Sequence, residues 1–226
     1  MDKMIFSPAE IEAESMRIIE EGLRERGFFS DHDPSGPELA IIKRVIHTTA
    51  DFEFAETLRF TDAFSDSVSD LFKACKDKAG VSPCHIISDT NMILAGLSRP
   101  AMSRLQTEAV CYMGDAEIAK EAKERGVTRA IVSIEHAVSL YPEGIYLIGN
   151  APTALIRLSE LIREGKASPK LVAGVPVGFV NVLESKETAL SVCLEYSVPA
   201  VLSMGRKGGS TVAVAVMNAI MYGFLR

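Results

Sequence analysis

The stretch Ile145-Tyr146-Leu147-Ile148-Gly149-Asn150-Ala151-Pro152-Thr153 decides the fold. Its apolar run has no polar residue at alternate positions, which describes a strand covered on both faces, and such strands belong to parallel sheets held between helices. The glycine-containing turn then leads into a helix read from Thr153. The same pattern recurs outward in Cys84-His85-Ile86-Ile87-Ser88, Ala109-Val110-Cys111-Tyr112-Met113, Leu171-Val172-Ala173-Gly174-Val175 and Ala200-Val201-Leu202-Ser203-Met204. Helical stretches lie among these strands, over Ala116 to Arg125, Thr128 to Leu140, Thr153 to Glu164, Lys186 to Tyr196 and Ser210 to Tyr222. The alternation predicts an α/β chain: a three-layer fold with a mainly parallel sheet flanked by helices.

The N-terminal third is helical. Ser7-Pro8-Ala9-Glu10 reads as a capping box with proline in the first turn, starting a helix that runs through Ile11, Ile18, Ile19 and Leu23 toward Gly27. After the turn-rich Ser30-Asp31-His32-Asp33-Pro34-Ser35-Gly36, a second helix begins near Pro37 and carries Leu39, Ile42, Val45 and Ile46 as its apolar stripe. Arg44 and His47, three apart, share a face. A third helix, roughly Asp62 to Lys78, spaces Val68, Leu71, Phe72 and Cys75 helically. No linker-like composition or repeat divides the chain, so residues 1–226 are expected to form a single domain.

Composition narrows the function. With 226 residues, 47% of them hydrophobic and 24% charged, the chain supports a substantial core without metal or disulfide staples. A net charge of -6 argues against nucleic acid or a membrane surface as partner, because both call for a basic face. The N-terminus lacks a signal-peptide pattern, and the most apolar segment, Val212 to Leu225, is shorter than a membrane span. Cys75, Cys84, Cys111 and Cys193 form no C-x-x-C pair and read as reduced core residues of a cytoplasmic protein.

Three late strands run into glycine turns: Gly149-Asn150-Ala151-Pro152, Gly174-Val175-Pro176-Val177-Gly178-Phe179 and Gly205-Arg206-Lys207-Gly208-Gly209-Ser210-Thr211. In an open parallel sheet such turns meet beyond the carboxyl ends of the strands, where the free amides of the following helices favour an anion. The last turn is not a P-loop, since its lysine precedes the paired glycines, and the first lacks G-x-G-x-x-G spacing. Of the histidines, His32 sits among turn residues, His85 inside a strand and His136 on a helix with Glu135 and Ser139 as neighbours. His47 ends the second helix, with Arg44 one turn back. An unperturbed imidazole suits proton transfer near neutral pH, although a histidine there also serves as a helix-dipole partner. No cluster has zinc-ligand spacing, and no G-x-S-x-G elbow is present.

In order along the chain, Ala13-Glu14-Ser15 with Ile18-Ile19, Arg44-Val45-Ile46-His47, Gly149-Asn150-Ala151-Pro152-Thr153-Ala154-Leu155, Gly174-Val175-Pro176-Val177-Gly178-Phe179-Val180, Glu184-Ser185-Lys186 and Gly205-Arg206-Lys207-Gly208-Gly209-Ser210 resemble the precorrin-8X methylmutase family, including its cobalt-precorrin-8 members. The resemblance implies an isomerase of cobalamin biosynthesis that moves a methyl group from carbon 11 to carbon 12 of a tetrapyrrole, giving hydrogenobyrinate or cobyrinate. It also implies His47 as proton donor and acceptor, Arg44 and Ser15 as substrate contacts, and a homodimer. Several carboxylates on the substrate call for arginines and helix N-termini, which adds Asn150 and Arg206 as binding residues, with Asp89 and Arg99 as weaker candidates that also suit capping or surface roles. No separate cofactor and no protein-bound metal is expected; any cobalt belongs to the substrate. A non-catalytic tetrapyrrole carrier and an NAD(P)-type oxidoreductase on a similar scaffold are the alternatives.

Overall fold

In the computed structural model, which describes residues 4–31, 36–62, 64–71 and 84–225, the strands are β1 (Leu58–Phe60), β2 (Cys84–Ser88), β3 (Thr107–Val110), β4 (Ile145–Ile148), β5 (Leu171–Gly174) and β6 (Ala200–Ser203). The helices before β2 are α1 (Pro8–Glu25), α2 (Phe28–Asp31), α3 (Pro37–Thr49), α4 (Phe54–Thr57) and α5 (Phe64–Leu71). After β2 come α6 (Asn91–Gly96), α7 (Arg99–Arg104), α8 (Ala116–Arg125), α9 (Arg129–Leu140), α10 (Pro152–Arg163), α11 (Val182–Glu195) and α12 (Ser210–Leu225).

The strands form one sheet in the order β1-β6-β5-β4-β2-β3, parallel except for β1. The chain lays β3 on one side of β2 and then β4, β5 and β6 on the other, so its winding reverses between β2 and β4. Such a reversal leaves a crevice beyond the carboxyl ends of the two strands. Every residue of β4, β5 and β6 is buried, which is why their sequences read as unbroken apolar runs.

Two helical layers close the faces. Against one pack α1, α3 and α12, with Leu23, Ile41, Val45, Val212 and Met217 meeting Leu147, Ala173 and Val201. Against the other lie α9, α10 and α11, where Ile134, Leu155, Leu158 and Val192 meet Tyr146, Val172 and Leu202. Each fully buried leucine, isoleucine or valine contributes roughly 1.5–3 kcal/mol. No helix among the described residues is long and apolar enough to cross a membrane.

Some elements differ from the sequence reading. The edge strand β1 pairs antiparallel with β6, Leu58 opposite Ser203 and Phe60 opposite Val201, and three residues with an exposed Arg59 carry no readable pattern. Helix α11 starts at Val182, one turn before Lys186, and β3 begins at Thr107 instead of Ala109. Helix α1 does begin at Pro8, yet the Ser7 side chain forms no capping hydrogen bond, so the box is not closed. Of the helix expected over Asp62 to Lys78, Phe64–Leu71 is helical, and residues 72–78 lie outside the described residues. Phe72, Cys75 and His32 lie outside the described residues.

Candidate active site

The three glycine turns do meet at the carboxyl end of the sheet. A Cβ on Gly149 would lie 3.1 Å from the Gly209 carbonyl oxygen, and the Gly209 amide donates to the Val175 carbonyl at 2.8 Å. Gly208 sits closest of all: a Cβ there would be 2.2 Å from the Val175 oxygen, so only glycine fits. The Gly178 amide donates to the Arg206 carbonyl at 3.3 Å, joining the β5–α11 and β6–α12 loops.

The crevice between β2 and β4 is already filled. Asp89, 1% exposed just past β2, accepts from the Gly149, Asn150 and Ala151 amides at 3.0, 2.8 and 2.6 Å. Burial pushes its carboxyl above the usual carboxylate range, while the three amides act in the opposite direction. The expectation that these amides await a substrate anion is therefore corrected: the chain supplies its own carboxylate, and Asp89 takes the capping role. Asn150 keeps only its exposed side chain for a ligand.

Helix α3 runs antiparallel to α12, its first turns beside Ala219 and Gly223, and its last turn toward the loop that opens α12. Lys207 fastens that end, its ammonium pairing with Asp51 at 2.5 Å and Glu53 at 2.7 Å. His47, in the last turn of α3, is thereby held on the same side of the sheet as the glycine loops. The Thr48 and Thr49 hydroxyls bond back to the Arg44 and Val45 carbonyls, at 2.9 and 2.8 Å. Among the described residues nothing hydrogen-bonds or ion-pairs with the exposed His47 ring, which leaves both ring nitrogens open to a ligand.

Arg44, one turn back on α3, lies beside α1 and α12. Helical side chains lean toward the N-terminus, and its guanidinium reaches back to Glu12 at 2.9 Å and lies 5.7 Å from the Tyr222 ring centre. These groups line a cavity of about 360 Å³ with Met16 and Leu39. Ser15, half-buried, lies on α1 one turn from Glu12 and between the exposed Ile11 and Ile18. The structure thus gathers His47, Asn150 and Arg206 at the carboxyl end, and puts Arg44 and Ser15 at or near the cavity between α1, α3 and α12.

Arg206 donates to the Phe179 carbonyl at 2.9 Å with its guanidinium 5.7 Å from that ring centre. Beside it Phe179 is 84% exposed, Val180 76% and Val177 46%, so a cation borders an apolar surface. Large exposed apolar groups flanking a charge suit a ligand with an apolar ring and acidic substituents. The other histidines stand elsewhere: His85 stacks on Tyr141 at 4.1 Å and lies 3.5 Å from Glu108, and His136 meets the Tyr112 ring edge-on at 4.6 Å. Arg99 opens the short α7 and is exposed. Among the described residues no group of three or more His, Cys, Asp or Glu side chains is placed to hold a metal ion.

A sequence model of the precorrin-8X methylmutases matches residues 10–223. The chain belongs to the precorrin-8X methylmutase family. It is 39% identical to the cobalt-precorrin-8 methylmutase of Salmonella typhimurium, with 96% of each chain covered. The precorrin-8X methylmutase of Pseudomonas aeruginosa is 34% identical, over 78% of this chain and 80% of the relative. Among solved structures, the precorrin-8X methylmutase of Thermus thermophilus superposes with a TM-score of 0.76 at 33% identity, covering 94% of this chain and 96% of its own. The family membership makes the chain a methylmutase, an isomerase of cobalamin biosynthesis, and sets aside the oxidoreductase and carrier readings.

Proposed function

We propose that this methylmutase moves a methyl group from carbon 11 to carbon 12 of cobalt-precorrin-8 or metal-free precorrin-8X, with His47 lending a proton to the macrocycle and taking it back. The observation that carries the reading is the unpartnered, exposed imidazole at the end of α3, on the side of the glycine loops. A ring nitrogen with no protein partner is available to a substrate. Protonating the macrocycle draws electron density toward the acidified position and favours the rearranged double bonds; the methyl carbon breaks one bond and forms another, and no atom is lost. General-acid help of this kind contributes roughly 10²–10⁴-fold.

Arg206 and Asn150 meet the substrate's acidic side chains, while Val177, Phe179 and Val180 offer an apolar bed to its ring. Arg44 and Ser15 contact a further part of the substrate, which then competes with Glu12 for the guanidinium. The whole chain works as one domain in the cytoplasm, with no cofactor of its own, and pairs as a homodimer. A second copy covers apolar side chains left open on the single chain, such as Ile11 and Ile18. Relatives at 37–39% identity carry the cobalt-precorrin-8 name, and those named for precorrin-8X stand at 29–34%, which favours the cobalt-containing substrate.

The test is conversion of each substrate to a corrin chromophore, followed by absorbance. Wild-type protein yields the corrin spectrum and His47→Ala yields it at least a hundredfold more slowly, with melting little changed because the exposed ring makes no hydrogen bond or ion pair among the described residues. Near-wild-type turnover in that variant would remove His47 from the chemistry.

A further inference from the structure

Lys186 is wholly buried on α11, an uncommon place for a lysine. Its ammonium has no carboxylate partner among the described residues; it donates instead to the Gly205 and Lys207 carbonyls, both at 2.8 Å. Ser203, also fully buried, donates to the same Lys207 carbonyl at 3.0 Å. Burying a cation without a counter-ion is costly, and desolvation pushes the Lys186 pKa down to about 8.

That cost gains no hydrogen bond the loop needs. Gly205, Arg206 and Lys207 are exposed, so their carbonyls, if turned outward, would be satisfied by water. What the ammonium does is select a direction. With the Gly205 and Lys207 oxygens drawn inward, planar trans peptides turn the Arg206 and Gly208 N–H groups the opposite way. Neither amide has a protein acceptor among the described residues. Gly205, at φ 79°, supplies the left-handed backbone that this arrangement requires.

We propose that Lys186 is a positioning residue for substrate binding, its buried ammonium clamping the Gly205 and Lys207 carbonyls so that the β6–α12 loop presents Arg206 to an acidic side chain of the substrate. The same clamp steadies Lys207, which in turn holds Asp51 and Glu53 beyond the end of α3. This inference rests on the reading of Arg206 as a substrate contact.

A double-mutant cycle on the intact protein with cobalt-precorrin-8 tests it. Lys186→Met, close in length but without a donor, raises KM about tenfold and leaves kcat within about threefold. Arg206→Ala raises KM by a similar factor, and the double variant is no worse than the poorer single, because a misplaced Arg206 contributes little for its removal to take away. KM factors that multiply to about a hundredfold overturn the inference while leaving Arg206 as a contact. If Arg206→Ala alone leaves KM unchanged, the contact and the inference both fall, although the His47 chemistry stands. Should Lys186→Met fail to fold, Ser203→Ala decides: it loosens the same loop by one hydrogen bond, and a KM equal to wild type refutes the clamp.

Discussion

Replacing Gly208 with alanine forces a methyl group into the tightest point of the site. The new Cβ would stand 2.2 Å from the Val175 oxygen, 2.7 Å from the Pro176 oxygen and 2.9 Å from the Val175 carbonyl carbon, all backbone atoms that cannot swing aside. Ordinary carbon-to-oxygen contact is about 3.3 Å, so the loop must retreat by about 1 Å. The Gly209 amide, now 2.8 Å from the Val175 oxygen, is then carried beyond hydrogen-bonding distance. One lost hydrogen bond at about 1 kcal/mol and overpacking at about 1–3 kcal/mol give roughly 2–4 kcal/mol. For a chain of this size that lowers Tm by roughly 5–15 °C. A 1 Å error in placing Arg206 also lowers kcat/KM, by roughly 10–100-fold. Calorimetry and the chromophore assay are run beside Gly165→Ala, whose φ is 68° with nothing within 4 Å of the new Cβ. That control costs roughly 1–2 kcal/mol in backbone strain at the amino end of β5 and keeps full activity. Gly208→Ala with wild-type melting and kcat/KM refutes the close approach as the reason for glycine, and equal activity loss in the two variants refutes the loop's part in binding.

Two further outcomes follow from the charges at this end of the sheet. Asp89→Ala strands three amides in a notch shaped for a carboxylate, so melting falls, and millimolar formate or acetate raises the Tm of the variant more than that of wild type; equal shifts in both would count against the notch. The Lys207 ammonium holds the Asp51 carboxyl below its usual pKa, so the pair's stabilisation is present at neutral pH and fades only as pH falls through that lowered value. The stability gap between wild type and Asp51→Asn should hold steady from pH 8 to about 5 and close in stronger acid; a gap that widens in acid contradicts the pairing.

The parallel strands β4, β5 and β6 were legible because both faces are buried and the residues say so without interruption, whereas β3, at the edge with an exposed Glu108, was read two residues late. Strand β1 was not legible, because Leu58-Arg59-Phe60 has one buried position and depends on β6, more than 140 residues away, to become a strand at all. Within the site, the clustering of the glycine turns followed from topology. That the Gly149 turn is already occupied depended on Asp89, some 60 residues earlier, and no local pattern announces such a pairing. Lys186 was visible only as a motif letter, since lysine is ordinarily a surface residue and burial is not written in its type. Arg44 and His47 share a helical face by spacing, but that the guanidinium is engaged by Glu12 of α1 depended on a residue some 30 positions earlier.

Asp89 also bears on what the crevice turns away. In sheets wound like this one, the seat beyond the reversal point is where a nucleotide sets its diphosphate, drawn by the very amides at the start of the next helix. Here the Gly149, Asn150 and Ala151 amides are spent on a side chain of the chain itself, so an incoming phosphate finds those three donors taken and an acidic group in its path. A scaffold built on the plan of nucleotide binders has its usual diphosphate seat taken by one side chain, and selectivity begins at the place where the fold would otherwise have invited the wrong guest.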